Sequence, residues 1–155
     1  MLSKLETARK RWGGKVKLID KWLDNRQLLL IKYCELVKED QSSQYQALPE
    51  MAELQSFCGK LVDYLSLGHF EVYESILSQY VKEGINEMPS DLLSDISETT
   101  TPCLNFSDRY MNLGEPDSKL EDAISNLGES LAKRFDLEDA LIEELYRASQ
   151  TNNNN

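Results

Sequence analysis

Along almost the whole chain apolar residues recur three and four positions apart, while the strict alternation of a half-buried strand is nearly absent. A helix advances ~100° per residue, so this spacing gathers apolar side chains into one stripe that has to be covered. Helices that each carry one such stripe bury them against one another, and the chain is read as all-α, an antiparallel helical bundle of four main helices with short additional ones. The 155 residues suit one domain, able to bury roughly 68–70% of the surface its unfolded form exposes. That domain is taken as residues 1–149. The remainder, 150–155, is polar, uncharged and without an apolar anchor, and reads as a disordered tail.

Local signals divide the helical pattern. Ser3-Lys4-Leu5-Glu6 is a capping box that opens a short first helix, and Gly13-Gly14 ends it. A long helix from about Lys15 to Val37 is expected to bury Val16, Ile19, Trp22, Leu23, Leu30, Tyr33, Cys34 and Val37. Lys38 to Leu48 is polar and reads as a loop; Pro49 suits a first helical turn. The helix that follows buries Met51, Leu54, Phe57, Cys58, Leu61, Val62 and Leu65, and Gly68 marks its end or a kink. Another helix from about His69 to Lys82 places Tyr73, Ile76, Leu77 and Tyr80 inside, with Gly84 in the C-terminal capping position. Between Pro89 and Met111, Leu92, Leu93, Ile96, Leu104, Phe106 and Tyr110 share a face, and Pro102 is expected to kink the segment. A second capping box, Ser118-Lys119-Leu120-Glu121, starts a last helix reaching about Ala148, with Leu120, Ile124, Leu127, Leu131, Phe135, Leu141, Ile142 and Leu145 on its stripe.

The longest apolar run, Leu28 to Ile31, is far short of the ~20 residues of a membrane-spanning helix. The stretch from Met1 to Trp12 lacks the hydrophobic core of a secretion signal, so a cytoplasmic location is expected. Cys34, Cys58 and Cys103 have no Cys-x-x-Cys spacing and read as buried thiols rather than as a disulfide framework or a zinc site. The net charge of −10 is uneven. Residues 1–38 hold ten Lys/Arg against four Asp/Glu, whereas the other 117 hold seven against twenty-three. An acidic body repels nucleic acid and attracts basic partners if the charges cluster in space; the alternative reading is solvated faces on ordinary helices.

Groups matched for catalysis are scarce. His69 is the single histidine, no Glu-x-x-His pattern of a di-iron bundle is present, and phosphate loops and nucleophile elbows are missing. Neither a metal nor a cofactor is expected. The carboxylate pairs Glu121-Asp122, Glu138-Asp139 and Glu143-Glu144 read as solvated helix faces. One stretch stands out. On the helix through Leu61 to Phe70, Asp63, Ser66 and Phe70 fall opposite the apolar set if the helix persists through Gly68, which would place an aromatic anchor beside polar groups, the composition of a protein-binding hot spot. If a new helix starts at Gly68 or His69, Phe70 instead joins Tyr73 and Leu77 on a core face. Helical periodicity alone leaves both arrangements open.

Three blocks carry a family resemblance. They are Arg11-Trp12-Gly13-Gly14 through Lys17 to Leu23, then Leu54-Gln55-Ser56-Phe57-Cys58 through Leu61 to Tyr64 and Gly68-His69-Phe70-Glu71-Val72-Tyr73-Glu74, and last Leu127-Gly128-Glu129 through Arg134 to Asp139. In these blocks the chain resembles the Rsd/AlgQ family, bacterial regulators of the housekeeping sigma factor. The resemblance implies a helical bundle without enzymatic activity that binds the free primary sigma factor and competes with core RNA polymerase for it. It also implies that Asp63, Ser66 and Phe70 hold the sigma domain that reads the −35 promoter element. That domain is a basic helix-turn-helix, complementary to an acidic surface. Family members are further linked to a phosphocarrier protein of the sugar phosphotransferase system, for which this chain carries no motif. Neither direct DNA binding nor membrane association is expected. The competing reading is a carboxylate-lined enzyme or metal-binding protein that shares only the bundle.

Overall fold

Each apolar stripe becomes one wall of a shared core in the computed structural model, which describes residues 17–38, 51–75, 78, 84, 89–112 and 117–153; the side chains at 17, 18, 38, 69–71, 145, 146 and 148–153 lie outside that description. Helix α1 spans Lys17–Lys38, α2 Met51–Leu67, α3 Ser90–Asn112 and α4 Leu120–Asn153. No strand occurs among the described residues. The fold is an all-α bundle. The expected helix before Gly13 and the loop from 39 to 48 lie outside the described residues, as do Ile76, Leu77 and Tyr80.

Contacts across the core fix the helix directions. Tyr33 and Arg26 on α1 meet Phe57 and Tyr64 on α2, so rising numbers on one helix meet falling numbers on the other. Phe57 packs edge-on against Phe106 of α3 at 6.1 Å. Arg134 of α4 bonds to Ile96 and Thr100 in the first half of α3. Tyr33 reaches Ile124 while Arg26 reaches Asp139, which sets α1 antiparallel to α4. Trp22, Leu23, Leu54, Phe57, Leu61, Ile96 and Leu120 are fully shielded from water at the centre. Burial of that kind contributes ~1.5–3 kcal/mol for each large apolar side chain.

Several sequence expectations are corrected. Cys34 is exposed, because position 34 lies beyond the edge of the α1 stripe; Cys58 and Cys103 are buried, and all three thiols are free. Leu104 is exposed as well. Helix α3 runs from Ser90 to Asn112 with Pro102 inside it. Pro102 lies on the exposed face, where water can take over the carbonyl that a proline leaves without a donor. Before α4 the acceptor is Asp117 rather than Ser118: Asp117 Oδ1 accepts from the Lys119 amide at 3.1 Å. The same carboxylate accepts from Tyr110 at 3.0 Å and from Arg109 Nε at 2.9 Å, tying the end of α3 to the start of α4. Helix α4 continues to Asn153, past the limit read at Ala148 and into the segment expected to be a disordered tail.

Helix α2 ends at Leu67, where Gly68 was expected to mark its end or a kink, and the turn that follows is not α-helical. The chain passes into a π-helical turn, Gly68–Tyr73, and residues 74 and 75 remain helical. Gly84 has φ +67°, the left-handed conformation that a C-terminal capping glycine adopts without a Cβ clash.

Candidate functional site

The apolar face of α2 is spent on the core through Leu54, Phe57, Cys58, Leu61, Tyr64 and Leu65. Its opposite face is exposed. Asp63 and Ser66 are both exposed there, three residues apart and therefore neighbours on the last turn. Phe70 lies in the middle of the π-helical turn that follows; its backbone belongs to that turn and its side chain lies outside the described residues. Two of the three expected site residues are thus placed side by side on an open surface, with the third a short way along the same continuous helical path.

Acidic side chains extend over the neighbouring helices. Asp91, Asp95 and Glu98 are exposed at i, i+4 and i+7 on α3, and Glu121, Asp122, Glu129, Asp136 and Glu143 are exposed on α4. That spacing makes the α3 set a single acidic stripe.

Beneath this surface lies a charged cluster that sequence reasoning missed. Glu138, read as solvated, is completely buried. Its carboxylate accepts from the Tyr64 hydroxyl at 2.6 Å and pairs with Arg134 Nε at 3.2 Å and Arg26 Nη2 at 3.7 Å. Arg26 also donates to Tyr64 Oη at 3.2 Å and to Asp139 Oδ1 at 2.6 Å. Its guanidinium lies 4.9 Å from the ring centre of Phe135, a cation–π distance. Arg134 donates to Thr100 at 2.8 Å, Thr99 at 3.2 Å and Tyr73 at 3.1 Å. Burial pushes the Glu138 carboxyl upward while the two arginines draw it back. Burial likewise raises the Tyr64 and Tyr73 hydroxyls.

A signal for this cluster was present. Arg26 falls three and four residues from Leu23, Leu29 and Leu30, inside the apolar stripe of α1; Arg134 and Glu138 interrupt the stripe of α4 in the same way. Charges in core positions are held only when paired. The cluster has no nucleophile matched to a base, and no group of three or more His, Cys, Asp or Glu spaced to hold a metal ion occurs among the described residues. No described helix is long and apolar enough to cross a membrane.

Comparison with known proteins agrees with the architecture. Residues 1–146 match the family described as regulator of RNA polymerase sigma(70) subunit, Rsd/AlgQ. The protein named regulator of sigma D from Yersinia enterocolitica serotype O:8 is 38% identical over 151 residues, which cover 92% of this chain and 89% of the relative. Its namesake from Salmonella paratyphi A is 40% identical over 147 residues, covering 92% and 90%. The one from Yersinia pseudotuberculosis serotype O:3 is 36% identical over 160 residues, covering 97% and 94%. The family is a regulatory one and not a family of enzymes. With residues 1–146 matched by the family and relatives 36–40% identical over most of their length, the chain belongs to the Rsd/AlgQ family of regulators of the RNA polymerase sigma(70) subunit.

Proposed function

We propose that this protein binds the housekeeping sigma factor through the surface that carries Asp63, Ser66 and Phe70, seizing the domain that reads the −35 element and so competing with core polymerase and promoter DNA. The observation that carries this reading is the open face of α2, where Asp63 and Ser66 are exposed side by side while Leu54, Phe57, Leu61, Tyr64 and Leu65 of that helix turn inward. Family membership supplies the partner class. A DNA-reading helix-turn-helix is basic, and an acidic surface favours encounter with it and disfavours DNA.

Titration calorimetry of the protein against the isolated sigma factor at two salt concentrations tests the proposal. One-to-one binding that weakens with salt is expected, because screening reduces attraction between exposed charges. Asp63→Arg reverses the charge at an exposed position and should weaken binding more than about tenfold, or ~1.4 kcal/mol, with an unchanged circular dichroism spectrum. Absence of binding by the unaltered protein would overturn the proposal, and full affinity in Asp63→Arg would move the site elsewhere.

A further inference from the structure

We infer that Tyr73 and Arg134 are positioning residues for the partner site: a buried staple between them holds the π-helical turn open and sets where Phe70 stands relative to Ser66 and Asp63. The inference rests on the proposed role of the α2 surface. It adds two residues that make no contact with a partner.

A π-helical turn is rare and is usually confined to single turns at functional sites, because its wider winding has to be held by its surroundings. Here both ends of the turn close on the same two side chains. Tyr73, the last residue of the turn, is buried with its ring edge-on to Trp22 at 5.9 Å, and its hydroxyl accepts from Arg134 Nη2 at 3.1 Å. Gly68, the first residue, is so close that an added Cβ would lie 3.3 Å from the Tyr73 hydroxyl and 3.7 Å from Arg134 Nη2. The hydroxyl therefore fits against the start of the turn from its end, and a larger residue at 68 would press on it.

Arg134 is a fixed post rather than a flexible arm. It is almost fully buried, Glu138 pairs with its Nε at 3.2 Å, and Thr100 and Thr99 take its Nη1 from α3. Tyr64 donates into the same Glu138 carboxylate one residue after Asp63. The segment from Asp63 to Tyr73 is thus tied to one buried carboxylate–guanidinium pair at both ends. An α-helical turn in place of the wide one would rotate every residue after Gly68 and shift the backbone of Phe70 relative to Ser66 and Asp63.

Tyr73→Phe tests this directly, since it removes the hydroxyl and leaves the ring on Trp22. The expected result is about a tenfold loss of affinity for the isolated −35-reading sigma domain, with amide hydrogen exchange accelerated across residues 68–73 in the free protein. A purely structural role predicts an affinity loss that adds to that of any surface substitution. The positioning role predicts that Tyr73→Phe costs nothing further in a Phe70→Ala background and its full tenfold in an Asp63→Ala background. Thr100→Val, which removes the 2.8 Å acceptor of Arg134, should reproduce the pattern more weakly and serves if Tyr73→Phe fails to fold. Unchanged exchange across 68–73 overturns the staple, whatever the partner. Accelerated exchange with additive losses overturns its positioning role. If Phe70→Ala and Asp63→Arg both leave the affinity untouched, the proposed surface itself is wrong, an outcome read separately from the exchange data.

Discussion

Gly59→Ala and Gly128→Ala are the same chemical change in the interiors of two helices, and the structure demands opposite outcomes. Alanine is favoured over glycine by up to ~1 kcal/mol in a helix interior. At Gly59 nothing lies within 4 Å of an added Cβ, so that gain is realised. At Gly128 the new Cβ would lie 2.1 Å from the Tyr33 hydroxyl oxygen and 2.9 Å from its Cζ, and the ring has to leave. Leaving breaks the hydrogen bond from Tyr33 to the Ile124 carbonyl at 3.0 Å, ~1 kcal/mol. It also disturbs the tilted ring contact with Phe57 at 6.1 Å, ~0.5–1.5 kcal/mol. Overpacking of the surrounding core adds ~1–3 kcal/mol. Against the propensity gain, the net loss for Gly128→Ala is about 3 kcal/mol, a fall of roughly 6–12 °C in Tm for a chain of this size. Urea denaturation of both variants, with slopes matching the parent, measures the two shifts. If Gly128→Ala stabilises the protein as Gly59→Ala does, the close approach of Tyr33 to α4 is wrong, and with it the packing of α1 against that helix.

Three further outcomes follow from the buried cluster, the thiols and the α3–α4 junction. Glu138→Ala leaves Arg26 and Arg134 without their shared buried anion and should cost ~3–5 kcal/mol in denaturant unfolding; a loss below ~1 kcal/mol would mean that water already solvates the cluster. Thiol labelling of the folded protein should modify Cys34 alone, since burial shields Cys58 and Cys103 and pushes both thiols up to about 11. Fast labelling of a second cysteine would contradict the packing of α2 on α3. The Arg109 guanidinium, and after burial's opposing effect the Tyr110 hydroxyl, hold the Asp117 carboxyl below its ordinary value. A lowered carboxyl supports the fold above its unfolded value, and that support vanishes as pH falls through the lower folded value. The Tm difference between the parent and Asp117→Asn should therefore shrink as pH drops below about 4; a difference independent of pH would remove Asp117 from the junction.

The four main helices among the described residues, their approximate limits and most of their inward faces were legible in the residues, because periodicity and capping are local properties. A stripe such as Leu54, Phe57, Cys58, Leu61 and Leu65 points inward whatever it meets. By the same logic Asp63 and Ser66 were placed outward, and both are exposed. The left-handed Gly84 was legible for a related reason, since only the backbone of that one residue is involved.

Tertiary structure alone decided the rest. Whether Arg26, Arg134 and Glu138 are solvated or buried depends on one another and on Tyr64 and Tyr73, which arrive from three separate segments of the chain; no local pattern counts those partners. The choice at Gly68 between a break and a wide turn was set by Tyr73 and Arg134, 61 residues apart. Gly128, unremarkable as a helical residue, owes its place to a tyrosine on another helix. Side-chain periodicity is a property of one helix, whereas charge neutralisation and close approach are properties of pairs, and pairs exist only once the bundle has closed.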